Sequence, residues 1–158
     1  MSNVQPVPET MTGVIPHLVV RGAHEALAFY EKAFGATVIS KHTMPDGSIM
    51  HASIMIGKGP VFLNDEFKDM GAVSPQSLGG SPVTMMMYVP DVDATFQRAL
   101  EAGAETVTPV ADQFWGDRYG MLRDPFGHQW EIATHKEDLS AEEMERRGRE
   151  AMAQMQQK

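Results

Sequence analysis

The feature that most constrains the fold is a repeated order of elements within this chain of 158 residues. Residues 23–34 and 92–102 both carry apolar side chains at helical spacing, and a glycine suited to ending a helix follows each of them. One strand is expected before each helix and three strands after it. The repeat is one of spacing rather than identity, and it predicts two β-α-β-β-β modules.

This duplication predicts where functional side chains would meet. A four-stranded sheet with one helix is covered on one face only, so two modules can bring their uncovered faces together around a cleft. Matching positions of the two modules are then expected to converge on that cleft. Counting along the chain from the helices and the turns gives three matched pairs: His17 with Thr84, Leu63 with Glu131, and His51 with about Arg118.

The segment 123–134 contains the clearest local signal. Its Asp-Pro-Phe-Gly sequence at 124–127 is typical of a tight turn, because proline fixes φ and glycine tolerates a positive φ. Alternation after the turn predicts a hairpin strand in which Trp130 and Ile132 point one way and Glu131 points the other. A carboxylate between two large apolar residues is expected to face a polar cavity, where it can find a cation or hydrogen-bond donors.

The regions outside the repeat have a different character. Ser140 and Glu143 form a capping-box pattern, and small and apolar residues then follow at helical spacing, which predicts an amphipathic C-terminal helix. The expected division of the chain is a flexible N-terminal arm at 1–12, one domain at 13–137, and the C-terminal helix region at 138–158. Within the domain we expect module one at 13–65, a linker or long loop at 66–81, and module two at 82–137.

Composition excludes several classes of function. A net charge of −8 argues against nucleic acid as a partner, which would need clustered Lys and Arg. The absence of Cys excludes disulfides and thiolate metal sites. No apolar stretch is long enough for a membrane span, and no signal peptide is evident, so a cytoplasmic protein is expected. No glycine loop suited to phosphates is present, so no nucleotide cofactor is expected. The 13 Met residues, three of them at 85–87, indicate either core filling or an adaptable apolar pocket.

Four segments together resemble a known family. They are PHLVVRGAHEALAFYEKAFGA, MPDGSIMHASIMIG, SPQSLGGSPVTMMMYVPDVDATFQRALEAGA and FWGDRYGMLRDPFGHQWEIATHKEDLS. Over residues 12–140 the chain resembles the vicinal oxygen chelate superfamily, and more closely its PhnB-like branch, grouped with glyoxalase and bleomycin-resistance proteins. The resemblance implies an α+β fold of paired βαβββ modules around a cleft and a homodimer, often with exchanged arms or modules. It does not imply one activity, because the superfamily includes isomerases, epimerases, thiol transferases, dioxygenases and drug-sequestering binders.

The resemblance also implies positions for metal ligands, on the first and fourth strands of each module. Glu131 matches the fourth strand of module two. His17 matches the first strand of module one if the strand–helix connection is two residues shorter, whereas an ungapped alignment gives Ile15. The two remaining positions fall on Thr84 and on Leu63 or Asn64. The four-ligand site of glyoxalase I is therefore not preserved, and typical glyoxalase I activity is not expected.

Further candidates surround these positions. His51 could complete a set of two His and one carboxylate for a divalent metal, or it could act as an acid–base or substrate-contacting residue. Trp115, Phe114, Arg118 and Met86 are candidate substrate-binding residues. Arg118 offers a planar fork for a carboxylate or phosphate; the alternative is a structural loop in which Asp117 pairs with Arg118 or Arg123. His128 is expected to be structural, and His24, His42 and His135 are expected at the surface.

Two hypotheses of function follow from these residues. The first is a metal-dependent enzyme, with His17 and Glu131 as ligands and with His51 or Glu131 moving the proton on a small oxygenated substrate. The second is a metal-free binder that holds an apolar or aromatic compound between Trp115, Phe114 and the Met-rich strand. In both, the protein is expected to be a homodimer whose sites draw His17 and Glu131 from different chains or from modules paired across the interface.

Overall fold

The computed structural model describes residues 4–156, and part of the predicted N-terminal arm (1–3) and the last two residues of the predicted C-terminal region lie outside them. Module one contains β1 (His17–Val20), α1 (Ala23–Phe34), β2 (Thr37–Thr43), β3 (Ile49–Ile56) and β4 (Gly59–Asp65). Module two contains β5 (Thr84–Tyr88), α3 (Val92–Glu101), β6 (Glu105–Asp112), β7 (Asp117–Arg123) and β8 (Gln129–His135). A 3₁₀ turn (Lys68–Met70) and α2 (Pro75–Leu78) lie between the modules, and α4 (Ala141–Met155) follows them.

Each module forms its own four-stranded sheet with the same topology. The strand orders are β1-β4-β3-β2 and β5-β8-β7-β6. Strand β1 runs parallel to β4, and β5 runs parallel to β8. The other neighbouring strands are antiparallel. Neither sheet closes on itself. The predicted α+β fold of two βαβββ modules with a C-terminal helix is confirmed.

Helix α1 has the bounds that its apolar spacing predicts. It ends at Gly35, whose φ of 66° is favourable only for a residue without a Cβ. Its first turn is held from another strand, because Asp65 Oδ1 accepts hydrogen bonds from the backbone N–H of Gly22 and Ala23 at 3.2 and 2.9 Å. The carboxylate at the end of β4 therefore fixes where the helix starts.

The Asp124–Gly127 turn lies at the junction between the modules. Asp124 is 3% exposed and accepts hydrogen bonds from the Tyr30 hydroxyl of α1 at 2.7 Å and from Trp130 Nε1 at 2.9 Å. Its other oxygen accepts the backbone N–H of Phe126, two residues on, as the turn sequence predicts. The Phe34 and Trp130 ring centroids are 4.8 Å apart. Burial, and then the Asp124 carboxylate, raise the pKa of Tyr30 well above its ordinary value. This turn anchors one continuous core that both modules share.

The region between the modules is more structured than the expected loop. Glu66 accepts hydrogen bonds from Ser74 N at 2.7 Å and from Ser77 Oγ at 2.9 Å, which closes the segment on itself. Gln76 Nε2 then donates to the carbonyl of Pro125 at 3.0 Å. The segment is thereby attached to the central turn of module two rather than extended between two modules.

Helix α4 begins where the sequence predicts. Ser140 is the N-cap residue, and its hydroxyl accepts the backbone N–H of Glu143 at 3.2 Å. The Glu143 carboxylate does not complete the box, because it binds Arg146 and Arg147 at 2.7 and 2.8 Å. Among residues 4–156, no helix has the length and apolar character needed to cross a membrane.

Candidate functional site

Strand register shows which positions of the two modules correspond. His17 pairs with Phe62 in module one, and Thr84 pairs with Gln129 in module two, so the predicted match of His17 with Thr84 agrees with the register. Counting two residues further along β4 and β8, Asn64 of module one corresponds to Glu131 of module two. The predicted match of Glu131 with Leu63 is wrong, and Leu63 is fully buried in the core.

A difference in hairpin length explains this error and a second one. Residues 57–58 join β3 to β4, whereas residues 124–128 join β7 to β8. Met121 pairs with Glu131 in module two, and extending the Ala52–Leu63 pairing of module one by one residue places His51 opposite Asn64. His51 therefore corresponds to Met121 and not to Arg118.

Arg118 lies on the helix side of β7. Its guanidinium binds the Asp93 carboxylate of α3 with two hydrogen bonds of 2.7 and 2.8 Å and the Asp112 carboxylate at 3.1 Å. These ion pairs, led by Asp93, raise the pKa of Arg118 further above its already high ordinary value. The structural alternative is therefore the better description, although the partners are Asp93 and Asp112 rather than Asp117. The fork predicted for a substrate is already occupied by two carboxylates.

Each sheet has a face turned away from its helix, and the two faces carry different side chains. We call them the module-one face and the module-two face. The module-one face consists of His17, His42, His51, Ser53, Phe62 and Asn64. The module-two face consists of Met86, Tyr88, Trp115, Asp117, Tyr119, Met121, Glu131 and His135.

Glu131 occupies the middle of the module-two face. Its Oε1 accepts a hydrogen bond from the Tyr119 hydroxyl at 2.9 Å. Burial, and then the carboxylate of Glu131, raise the pKa of Tyr119 to about 12, so the hydroxyl remains a donor at neutral pH. Met86 lies beside Glu131 in the parallel strand pair and is 43% exposed. The prediction that Glu131 points away from Trp130 and Ile132 is confirmed by the burial of both neighbours in the core.

Asp117 forms a second carboxylate centre on the same face. It is 4% exposed and accepts hydrogen bonds from Tyr88 at 2.7 Å, Trp115 Nε1 at 3.1 Å and His135 Nδ1 at 2.8 Å. Burial alone would raise the pKa of this carboxyl, but the hydrogen bonds from His135, Tyr88 and Trp115 outweigh it and lower the pKa. The ring of Trp115 lies edge-on to that of Tyr119, with centroids 5.7 Å apart. Three aromatic side chains are thus fixed around two carboxylates.

Phe114 is placed differently from the other predicted substrate-binding residues. Its ring lies edge-on to Trp115, with centroids 5.1 Å apart. The same ring packs on Gly148 of α4, where an added Cβ would come within 3.3 Å of it. Phe114 therefore supports Trp115 from behind.

The module-one face carries imidazoles. The ring centroid of His51 lies 5.7 Å from that of His17 and 6.3 Å from that of His42, with Phe62 4.8 Å away. Burial first, and then the neighbouring His17 and His42, lower the pKa of His51. Below these rings, Ser53 is 3% exposed, and its hydroxyl has no hydrogen-bond partner among the described residues.

These side chains give an incomplete fit to a divalent metal. His17 and His51 are neighbours, and imidazoles suit Zn, Cu, Fe and Ni. Glu131 lies on the other module, and the two remaining positions implied by the family carry Thr84 and Asn64. Within the part of the chain that the structure describes, no three His, Cys, Asp or Glu side chains are grouped so that they could hold a metal ion. A site with His17, His51 and Glu131 would thus have to be assembled from two copies of the chain.

A cleft of about 470 Å³ lies between the start of β5 and the β3–β4 hairpin. Its lining is mainly apolar and includes Val14, Pro60, Val83 and Met86, with Lys58 as its one charged side chain. Because Met86 belongs to both the cleft and the module-two face, the cleft extends that face toward module one.

Sequence reasoning missed five residues of the module-two face: Tyr88, Asp117, Tyr119, Met121 and His135. Asp117 was considered only as an ion-pair partner, and His135 only as a surface residue. Alternation backward from the 124–127 turn would have placed Asp117 and Tyr119 on the face of Glu131. The position of Tyr88 depends on pairing between β5 and β8, whose paired residues, such as Tyr88 and Ala133, are far apart along the chain, and no local pattern predicts that pairing.

Comparison with known proteins gives this architecture a family. The family model described as Glyoxalase/Bleomycin resistance protein/Dioxygenase superfamily matches residues 12–132. An uncharacterized protein of Mycobacterium tuberculosis is 47% identical over 133 residues, which cover 82% of this chain and 78% of the relative.

Two solved structures have the same fold. TioX from Micromonospora sp. ML1 is 28% identical, with a TM-score of 0.62 over 78% of this chain and 98% of that one. A PhnB protein from Bacillus cereus, whose description also reads putative 3-demethylubiquinone-9 3-methyltransferase, is 17% identical. Its TM-score is 0.61 over 78% of this chain and 99% of that one, a similarity that shows the fold alone.

Proposed function

The chain belongs to the glyoxalase/bleomycin resistance protein/dioxygenase superfamily, and we propose that it binds a flat small molecule on the module-two face without a metal. The ligand carries a nitrogen cation or several N–H donors. The observation that carries the proposal is the Glu131 carboxylate, which is hydrogen-bonded to Tyr119 and lies beside Met86 on a face that also carries Tyr88 and Trp115.

The chemistry of the face supports this ligand class. Aromatic rings attract flat molecules by stacking and attract cations through their negative faces. None of the ion pairs among the described residues involves Glu131, so no Lys or Arg neutralises it. A bound cation could supply that charge. Met86 adds a flexible apolar contact that adapts to ligands of different outline.

The positions that would hold a metal support a binder over an enzyme of the glyoxalase I kind. Thr84 and Asn64 stand where two of the four ligands are implied. A Thr hydroxyl and an Asn amide are weak ligands for the transition metals that imidazole selects. The proposal therefore assigns Glu131 to the ligand itself rather than to a metal ion.

We further propose that a second copy of the chain covers this face. Met86 and Tyr88 are 43% and 62% exposed in the single chain, and an exposed apolar patch of this kind is typical of an interface. A C2 homodimer would place the module-one face of one copy near the module-two face of the other. Light scattering at micromolar concentration tests this assembly: a dimer has twice the 17.4 kDa mass of the chain, and a stable monomer would contradict it.

A thermal-shift comparison tests the ligand class. Proflavine is a flat tricyclic cation, and 9-anthracenecarboxylate is a flat tricyclic anion of similar size. At 100 times its dissociation constant, a ligand adds about 2.7 kcal/mol to the free energy of unfolding. We expect proflavine to raise the melting temperature and the anion to leave it unchanged, with and without EDTA. Equal shifts for both compounds, or no shift for either, would contradict the proposal.

A metal-dependent enzyme is the second candidate, and the adjacent imidazoles of His17 and His51 favour it. In that case these two side chains, with Glu131 of another copy, would hold a divalent ion, which supplies Lewis-acid chemistry when bound. The pKa of His51 is lowered mainly by burial, which favours the neutral imidazole that a metal ligand requires.

Elemental analysis separates the two candidates. Protein purified without chelator should hold less than about a tenth of an equivalent of divalent metal if the binder proposal is correct, and dialysis against Zn²⁺ or Mn²⁺ should not restore more. A stoichiometric ion instead supports the enzyme. Mixing His17→Ala with Glu131→Ala protomers then shows whether the site is shared, because only a shared site regains metal binding on subunit exchange.

A further inference from the structure

Helix α4 packs on the rest of the protein at a small residue in its middle. Gly148 is buried in the middle of the helix, and it faces the ring of Phe114. A Cβ at this position would lie 3.3 Å from Phe114 Cε2, which is closer than most such contacts. Glycine is unfavourable inside a helix by about 1 kcal/mol relative to alanine. Its presence here lets the helix and the ring approach each other.

The segment leading into α4 also contacts residues 113–116, the loop that contains Phe114. The backbone N–H groups of Lys136 and Glu137 both donate to the carbonyl of Gly116, at 2.9 and 3.0 Å. Gly116 has a φ of +94°, and an added Cβ would lie 2.6 Å from the carbonyl oxygen of Glu137. The Glu137 carboxylate in turn binds Arg147 of α4 at 2.9 Å. Residues 113–116 are thus enclosed between the end of β8 and α4.

Phe114 connects these contacts of α4 to Trp115. The ring of Phe114 lies against Gly148 and is also edge-on to the ring of Trp115. Trp115 is held in front by its hydrogen bond to Asp117 and by the ring of Tyr119. The side chain that forms a wall of the module-two face is therefore supported from behind by α4.

We propose that α4 and Phe114 form a positioning strap, which fixes the orientation of Trp115 and so sets the affinity of the ligand site without touching the ligand. This inference rests on the proposed function for its effect on affinity, but the position of Trp115 can be measured without any ligand. Phe114 is thereby reassigned from the predicted ligand contact to a positioning residue.

Acrylamide quenching of tryptophan fluorescence reports the strap directly. The protein has two Trp residues, and Trp130 is 3% exposed in the core, so the quenchable emission comes from Trp115. Gly148→Leu would push Phe114 away, and Phe114→Ala would remove the contact between α4 and Trp115. Ala153→Leu is the matched control, because it places the same leucine side chain at an exposed position of the same helix.

We expect both strap variants to increase quenching and to weaken proflavine binding by about 3- to 10-fold, the size of an aromatic contact. The control should behave as the natural protein. Phe114→Leu should restore part of the affinity, because it refills the space behind Trp115. Circular dichroism melting shows whether each variant is folded, and the two strap variants perturb different elements, so one remains informative if the other unfolds.

The outcomes separate the strap from the ligand site. Unchanged quenching in the folded strap variants overturns the strap, whether or not proflavine binds. Increased quenching with unchanged proflavine affinity also overturns it, because Trp115 would then move without consequence. If proflavine does not bind the natural protein, the proposed function fails, and quenching alone decides whether α4 positions Trp115.

Discussion

The two modules share one topology but differ in the chemistry of their open faces. The module-one face brings three imidazoles together above a buried hydroxyl that has no partner among the described residues. The module-two face surrounds two carboxylates with aromatic rings, and hydrogen bonds hold Asp117 and Glu131 in place. The apolar core that both modules share lies on the helix side of each sheet. The two open faces therefore carry different side chains, and a hydrogen-bonded network is present on the module-two face.

The largest expected difference in stability is between the β7–β8 turn of module two and the β3–β4 turn of module one. Asp124→Ala would leave the Tyr30 hydroxyl, Trp130 Nε1 and backbone N–H groups of the turn without a partner in the core. We expect it to lower the free energy of unfolding by about 3–5 kcal/mol. Lys58→Ala, in the corresponding turn of module one, should change it by less than about 0.5 kcal/mol. Urea unfolding checks both, and similar losses would show that the two turns carry equal structural weight.

Removing one hydroxyl from each face should have opposite effects on the free energy of unfolding. Tyr119→Phe loses the hydrogen bond to Glu131 and should lower the free energy of unfolding by about 1 kcal/mol. Ser53→Ala removes a buried hydroxyl without a described partner and should raise that free energy by about 1 kcal/mol. Chemical denaturation of both variants provides the measurement. A destabilised Ser53→Ala protein would mean that the hydroxyl is satisfied in solution, and the contrast between the faces would weaken.

The smallest expected difference between the modules is in how their histidines make stability depend on pH. The folded state lowers the pKa of His51 below its ordinary 6.5, mainly by burial and then by repulsion from His17 and His42. Its contribution to stability is therefore present above pH 6.5 and is lost as the pH falls through the lowered pKa. Hydrogen bonds to Asp138 and then Asp117 raise the pKa of His135 above 6.5, so its contribution is present below pH 6.5 and is lost as the pH rises.

Single substitutions separate these two titrations. In EDTA, His51→Gln should reduce the loss of stability between pH 6.5 and 5, and His135→Gln should lower stability at pH 5.5 more than at pH 8. Unfolding free energies across pH 5–8 measure both. Identical pH profiles for the two variants would remove the difference between the modules.

The sequence predicts most of the scaffold because the relevant signals are local. Helix spacing gives the bounds of α1, and the turn chemistry of 124–127 gives the hairpin that carries Glu131. The match of Glu131 with Leu63 failed because two hairpins of different length shift the register by one residue, and one residue changes the face of a strand. The contacts of Arg118 and Phe114 with α3 and α4 could not be predicted from the sequence, because these helices lie far away along the chain.

A binding titration that compares the two faces tests the central claim most directly. Proflavine is titrated into the natural protein, into Glu131→Gln and into His51→Gln, and its fluorescence gives the dissociation constants. If the module-two face is the site, Glu131→Gln should weaken binding by about 10-fold or more, because it removes the charge but keeps the shape, and His51→Gln should have no effect. Unchanged affinity in Glu131→Gln, with a loss of binding in His51→Gln, would contradict the account and assign the ligand to the module-one face.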